Sequence, residues 1–232
     1  MSSSHLIRGF AAAVVLPFSL SCLALRCSFG QEHPEAAPAS KASPSNPETK
    51  PEFLPPLPPD ASAAQTVTVN GKTLRYTATV GVIPVYNLTD PNKQETKTGE
   101  VVVTSYILDG AAEKAERPVT FAMNGGPGAA SVYLNFGAIG PKHVQFADQG
   151  NSPSDPARLT DNPGTWLPFS DLVFIDPIGT GFSRPLVPVA DAKKLFYSTT
   201  PDIEYLSRVI YDWLVKNGRL QSRKYVVGES YG

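Results

Sequence analysis

Cysteine and histidine are scarce in this sequence, with two and three occurrences among 232 residues. Both cysteines, Cys22 and Cys27, lie in the first thirty residues, so a mature chain without that segment contains no disulfide. This is ordinary for a bacterial exported protein, and we expect bacterial export to the periplasm or the extracellular space. The histidines are His5, His33 and His143. None suits a general base, because the first two lie in terminal segments and His143 lies in a polar, solvated loop.

The sequence also has no excess of charge of either sign, because it contains 20 basic and 21 acidic residues and its formal net charge is −1. This balance argues against a nucleic acid as a partner. No pattern in the sequence implies a cofactor or a metal ion, and we expect neither. The remaining classes are enzymes that work with side chains alone and proteins that bind without catalysis.

Residues 1–30 have the composition of a secretory signal peptide. Arg8 precedes an apolar stretch over 10–25, and the small residues Ser28 and Gly30 flank Phe29 near a plausible cleavage point. A membrane anchor and a lipidated cysteine are the alternatives, although Pro17 interrupts an apolar run that is short for a membrane span. Residues 31–64 are rich in proline and predict a disordered linker. The folded domain is expected over 65–232.

The start of this domain predicts antiparallel strands. Residues 66–69 and 73–80 alternate on either side of Asn70-Gly71, a strong hairpin signal. Residues 81–88 are expected to form another strand, and 100–108 a further one. Together they predict an antiparallel N-terminal meander.

The rest of the domain alternates between short apolar runs and helical patterns. Buried strands are predicted over 119–123, 172–175 and 225–227, and helices over 130–136 and 202–217, with 142–168 as a loop-rich stretch. Strands that alternate with helices predict an α/β fold with a mixed, mostly parallel sheet.

A G-x-S-x-G motif occupies 228–232 and follows an apolar strand. In an α/β-hydrolase this motif is the nucleophile elbow, so Ser230 is the candidate catalytic nucleophile, and a surface turn is the alternative. The catalytic acid and histidine of that fold follow the serine in chain order. We therefore expect them beyond Gly232 and interpret the chain as a fragment that is inactive alone. Asp176 precedes the serine and is expected to be structural.

A second motif, N-G-G-P-G at 124–128, follows a predicted buried strand. In the same fold an oxyanion hole combines the N–H after the nucleophile with an N–H from an earlier loop. Gly126 and Tyr231 are the natural donors. In isolation the N-G-G-P-G motif would be read as a tight turn.

The ordered motifs resemble the serine carboxypeptidases of the carboxypeptidase Y type over roughly 100–232. They are NGGPGAAS at 124–131, Gly140-Pro141, Trp166, LVFIDPIGTGFS at 172–183 and GESYG at 228–232. The resemblance implies an α/β-hydrolase fold and a peptide substrate cleaved at its C-terminus, with Ser230 as nucleophile. It also implies that Asn124 and Glu229 bind the terminal carboxylate of the substrate.

The sequence departs from the family pattern at three positions. Ala129 stands where the family usually has a cysteine, Ala122 where it has a tryptophan, and Ala138 where it often has a glutamate of the carboxylate-binding network. An esterase or acyltransferase of the same fold is therefore an alternative. A non-catalytic secreted protein is another.

Glu229 predicts acidic working conditions. A glutamate that meets a substrate carboxylate must be protonated to donate a hydrogen bond, because two carboxylates in contact do not both stay ionised. The alternative is a structural acid that bonds backbone N–H groups.

Overall fold

A mixed sheet of seven strands organises the part of the chain that the computed structural model describes, residues 55–87, 96–111, 115–146 and 156–232. The nine strands are β1 (Ala61–Val69), β2 (Lys72–Asn87), β3 (Thr96–Leu108), β4 (Val119–Asn124), β5 (Lys142–Gln145), β6 (Arg158–Asp161), β7 (Asp171–Ile175), β8 (Arg184–Pro185) and β9 (Lys224–Glu229). β5 and β6 form a separate pair. The predicted signal peptide and residues 31–54 of the predicted linker lie outside the described residues.

The predicted N-terminal hairpin is present. β1 and β2 pair antiparallel up to Val69 and Lys72, around a turn in which Asn70 has φ +50° and Gly71 has φ +75°. Two left-handed residues are what a two-residue hairpin turn requires. The last four residues of the predicted linker belong to the sheet instead, because residues 61–64 pair with 77–80 and β1 begins at Ala61.

β2 does not stop where the sequence predicts. We expected a separate strand over 81–88, but β2 continues from Lys72 to Asn87 as one strand of 16 residues. Pairing with β3 runs along its second half and shifts register once, between Val85 and Tyr86. This long-range pairing carries the strand through Gly81, which a local pattern does not reveal.

The order β1-β2-β3-β7-β4-β9 divides the sheet into two parts. The first four strands in this order, β1, β2, β3 and β7, each pair antiparallel with the next one. The last three, β7, β4 and β9, pair parallel. This arrangement confirms the predicted mixed α/β sheet with an antiparallel N-terminal meander. β4 is the central parallel strand and all six of its residues are buried, so its carboxyl end lies between neighbours, where open α/β sheets bind ligands.

Helices connect the parallel strands. The predicted helix over 202–217 is present as α3 (Thr199–Lys216), whose Trp213 packs edge-to-face on Phe121 of β4, with ring centroids 5.5 Å apart. The sequence did not predict α2 (Val189–Phe196), which precedes it. Residues 130–136 were predicted as a helix. The structure has a single turn there, α1 (Val132–Leu134), followed by a π-helical turn over Asn135–Ile139.

Alternate residues of β4 contribute to two hydrophobic clusters. Phe121 and Met123 belong to the cluster that contains α3, while Ala122 belongs to the cluster that contains Val67 and Leu172. Side chains of a strand alternate between its faces, so both faces of β4 are covered.

The stretch predicted as loop-rich contains a small hairpin. Lys142–Gln145 pairs antiparallel with Arg158–Asp161. The Asp161 carboxylate holds this hairpin in place. It forms an ion pair with Lys142 and accepts a hydrogen bond from the backbone N–H of Thr68 in β1 at 2.8 Å. That contact links positions 93 residues apart, beyond the reach of a local pattern.

A buried ionic cluster lies at the amino-terminal ends of the parallel strands. Asp171, at the start of β7, accepts hydrogen bonds from Arg219 Nη1 at 2.6 Å and from Arg117 Nε at 2.7 Å. Arg219 is 2% exposed and Asp171 is 1% exposed. Because Arg219 lies in the loop between α3 and β9, this cluster fixes where β9 begins.

Candidate active site

The end of β9 forms a strained turn at Ser230. Its φ is +59°, a left-handed conformation that is uncommon for a residue other than glycine and that occurs where surrounding structure enforces it. The Gly232 N–H donates to the Glu229 carbonyl at 3.0 Å and closes the turn. A β-carbon on Gly228 would overlap the carbonyl of Gly232, so this flank of the motif requires glycine. The backbone therefore has the form of a nucleophile elbow.

The N-G-G-P-G loop packs directly against this elbow. A β-carbon on Gly125 would overlap the backbone nitrogen of Tyr231 and lie 2.7 Å from that of Gly232. The Ala129 N–H donates to the Gly125 carbonyl at 2.9 Å and fixes the loop. Gly126 and Tyr231, the predicted oxyanion donors, thus lie on two backbone segments that touch. Their role as donors stays a prediction.

Asn124 and Glu229 are partners in the register of the parallel strands β4 and β9. Asn124 Nδ2 donates to Glu229 Oε2 at 3.3 Å. Asn124 is 4% exposed, and its Oδ1 accepts the Leu134 N–H at 2.9 Å, which orients the amide with Nδ2 toward Glu229. The two predicted carboxylate-binding residues are therefore brought together at the carboxyl edge of the sheet, with Glu229 on the exposed side.

A cavity of about 850 Å³ opens in front of the elbow. Its lining includes Asn124, Ser230 and Tyr231 of the predicted site, whereas Gly126 and Glu229 are not among the lining residues. The opposite wall comes from the loop after β7 and from α3, including Ile203. Most of this wall is apolar, which is usual for a small-molecule or peptide site.

Asp202 is a site residue that the sequence did not single out. It lies in the first turn of α3, lines the cavity and accepts a hydrogen bond from the Tyr231 hydroxyl at 3.1 Å. Burial raises the pKa of the Asp202 carboxyl, while hydrogen bonds from Tyr205 and Tyr231 oppose the rise. An acidic residue in the first turn of a helix is common, so the sequence offered no signal for this contact.

Asp176 serves the packing of the loop after β7. Its Oδ1 accepts the Ser131 N–H at 2.8 Å, and a β-carbon on Gly181 would lie 2.8 Å from its Cγ. Burial raises the pKa of the Asp176 carboxyl, and the bond from the Ser131 N–H opposes the rise. Asp176 does not line the cavity, which agrees with a structural rather than a catalytic role.

His143 is the histidine that the described residues contain, and it lies in β5. Its Nε2 shares a hydrogen bond with Thr160 Oγ1 at 2.9 Å, and it does not line the cavity. Across the described ranges, no group of three or more His, Cys, Asp or Glu side chains is arranged to hold a metal ion. The described part of the site thus contains a candidate nucleophile without a base beside it.

The sequence model of the serine carboxypeptidase family matches residues 105–232, more than half of the chain. The chain belongs to the serine carboxypeptidase family. A serine carboxypeptidase-like protein of Arabidopsis thaliana, number 50 of its series, is 31% identical over 121 residues, which is 50% of this chain and 24% of that protein. A carboxypeptidase Y homolog of Arthroderma benhamiae is 34% identical over 116 residues, which is 47% of this chain and 19% of that protein.

A solved structure agrees with the α/β-hydrolase assignment. The prohormone-processing carboxypeptidase Kex1 of Saccharomyces cerevisiae superposes with a TM-score of 0.52 at 25% identity, over 67% of this chain and 31% of that one. The chain spans a quarter or less of the length of the two curated relatives above. These relatives come from a plant and a fungus and give no support to the predicted bacterial origin. No helix in the described residues is both long and apolar enough to cross a membrane.

Proposed function

We propose that this chain supplies the nucleophile and the oxyanion hole of a serine carboxypeptidase. The observation that carries the proposal is the left-handed φ of Ser230 at the end of a parallel strand, with the Gly125 backbone packed against the next residue. A strained serine with close backbone N–H groups is the arrangement that acyl transfer requires.

In the proposed reaction Ser230 Oγ attacks the carbonyl carbon of the last peptide bond while its proton passes to the general base. The N–H groups of Gly126 and Tyr231 stabilise the negative charge that develops on the carbonyl oxygen, and one such donor typically lowers the barrier by about 3 kcal/mol. The C–N bond breaks as the leaving amine takes a proton from the general base. Water then attacks the acyl-enzyme, releases the shortened peptide and returns the proton to Ser230.

Substrate recognition is proposed to depend on Asn124 and Glu229. The amide of Asn124 is buried and oriented by Leu134, which suits it to donate to a terminal carboxylate held beside Glu229. Glu229 donates as well when it is protonated. Ala138 provides no further polar group, so we expect weaker discrimination for a free C-terminus than a fuller network would give.

The general base and its orienting acid are proposed to come from sequence outside this chain. In this fold both follow the serine in chain order. The curated relatives are about four or five times as long as the part matched here, since the match covers 24% and 19% of them. We also propose that residues 1–30 direct the protein to export. Activity is therefore to be measured on a full-length polypeptide of the relatives' size that contains this chain.

The test compares peptides that differ only at the C-terminus. A full-length protein with Ser230 intact is expected to release the last residue faster from a free-acid peptide than from the matching C-terminal amide, and to lose this release as Ser230→Ala. Ser62→Ala, at an exposed position of β1 outside the cavity lining, is the matched serine control. Hydrolysis of simple esters without release of a C-terminal residue would replace this proposal with the esterase or acyltransferase alternative, which the absence of a polar side chain at Ala138 favours.

A further inference from the structure

Tyr231 contacts the site through both its backbone and its side chain. Its backbone nitrogen lies against Gly125, while its phenol donates a hydrogen bond to Asp202 Oδ2 at 3.1 Å. Asp202 precedes it by 29 residues and lies on α3. Among the residues that line the cavity, Asp202 is the one that carries a formal charge. A carboxylate thus links the helix wall of the cavity to the residue after the nucleophile.

Tyr205 connects the same carboxylate to the loop after β7. The Ile178 N–H donates to the Tyr205 hydroxyl at 3.1 Å. A backbone N–H donates only, so the phenol oxygen accepts this bond and its own proton is available to Asp202, which lies three residues earlier on α3 and whose pKa Tyr205 lowers. Tyr205 is 6% exposed, and its ring packs edge-to-face on Phe196 with centroids 5.3 Å apart. Tyr205 is therefore a fixed anchor for the carboxylate.

We propose that Asp202 is a positioning residue for the nucleophile elbow. Its carboxylate accepts the hydrogen bond of the Tyr231 phenol and so ties Tyr231, the residue whose N–H faces the developing oxyanion, to the first turn of α3, which Tyr205 fixes to Ile178. A hydrogen bond to an ionised acceptor is stronger than a neutral one. This inference rests on the proposed role of Ser230 as nucleophile. It holds for any acyl substrate, whether a peptide or an ester.

The test measures how fast Ser230 of the full-length protein reacts with a fluorophosphonate, a probe that needs the nucleophile and the oxyanion hole but no terminal carboxylate. Asp202→Asn and Tyr231→Phe are each expected to slow the reaction about tenfold, the size of one charge-assisted hydrogen bond. The double variant is expected to be no slower than either single one, because both remove the same link. With peptide substrates, kcat is expected to fall and KM to stay constant.

Two matched controls test whether the effect is specific to the link. Asp191→Asn and Tyr211→Phe change the same chemical groups at exposed positions of α2 and α3, outside the cavity lining, and are expected to react at the original rate. Thermal unfolding of all variants is expected to stay within a few degrees of the parent, which separates positioning from loss of fold.

Each outcome decides between the proposals. An unchanged rate for Asp202→Asn, or rate losses that multiply in the double variant, would overturn the positioning role. In another outcome the parent reacts with the probe but releases no C-terminal residue from peptides. If the two single variants and the double variant then lose probe reactivity to the same extent, the positioning role is supported and the carboxypeptidase function is refuted. A full-length parent in which Ser230 does not react with the probe would refute both.

Discussion

The α-carbon of Gly125 faces the backbone nitrogen of Tyr231 so closely that a β-carbon on Gly125 would overlap it. These residues lie in two motifs that are about a hundred positions apart in the sequence, and the two motifs supply the proposed oxyanion donors, Gly126 and Tyr231. The close contact makes the geometry of the hole sensitive to a single methyl group at position 125.

Gly125→Ala is therefore expected to displace the elbow or the loop and to lower kcat of the full-length protein about 100-fold, since a shift of about 1 Å in reacting groups has that effect. Gly137→Ala is the matched control, because a β-carbon there meets nothing within 4 Å. Steady-state kinetics on one peptide check both. Equal activity in the two variants would contradict the close contact as a functional constraint.

The Asn124 and Glu229 pair predicts the pH dependence of peptide cleavage. Glu229 must carry a proton to donate to a substrate carboxylate, so kcat/KM for a free-acid peptide is expected to fall as pH rises from acid to neutral. Glu229→Gln keeps a donor at every pH and is expected to remove this fall. A pH profile of both proteins measures the difference, and identical profiles would exclude Glu229 from carboxylate recognition.

The buried cluster around Asp171 predicts a large effect on stability. Asp171→Asn leaves Arg219 and Arg117 without their shared counter-charge, and loss of one partner of a buried ion pair costs about 3–5 kcal/mol of the free energy of unfolding. Urea unfolding monitored by tryptophan fluorescence measures this cost.

The control for this cluster is the pair of Arg208 and Asp212 on α3, whose side chains are 55% and 28% exposed. Asp212→Ala is expected to cost about 0.5 kcal/mol or less, as exposed pairs four residues apart usually do. Equal costs for the two aspartates would show that burial does not decide the effect.

Asp176 predicts how stability changes with pH. Burial raises the pKa of this carboxyl in the folded protein, so its contribution to stability is complete below the unfolded value of 3.8 and is lost as pH rises through the higher folded value. Asp176→Asn does not ionise. The free energy of unfolding of the variant minus that of the parent is therefore expected to be larger at pH 7 than at pH 4, so the variant gains relative stability as pH rises.

Denaturation of both proteins at the two pH values checks this expectation, with Asp191→Asn as the exposed baseline. A relative stability that favours the variant more at pH 4 than at pH 7 would contradict the assigned direction of the pKa change.

Local patterns predicted the elements whose causes are local. Asn70 and Gly71 adopt the left-handed angles of a tight hairpin turn, and the apolar stripe of α3 faces the sheet through Trp213. The patterns failed where distant pairing decided the outcome. β2 continues through Gly81 because β3 pairs with it, and the β5–β6 hairpin is anchored by the contact from Thr68 to Asp161.

The sequence by itself determined the chemistry of the site. It identified Ser230 and the glycines around it, because a strained strand-to-helix turn requires small residues at fixed spacing. Only the tertiary structure decided which groups meet. Asn124 is the register partner of Glu229 because β4 and β9 pair parallel, and Tyr231 reaches Asp202 because Trp213 of α3 packs on β4, beside which β9 lies. Such contacts join residues 105 and 29 positions apart, and sheet order and packing set them rather than any local preference.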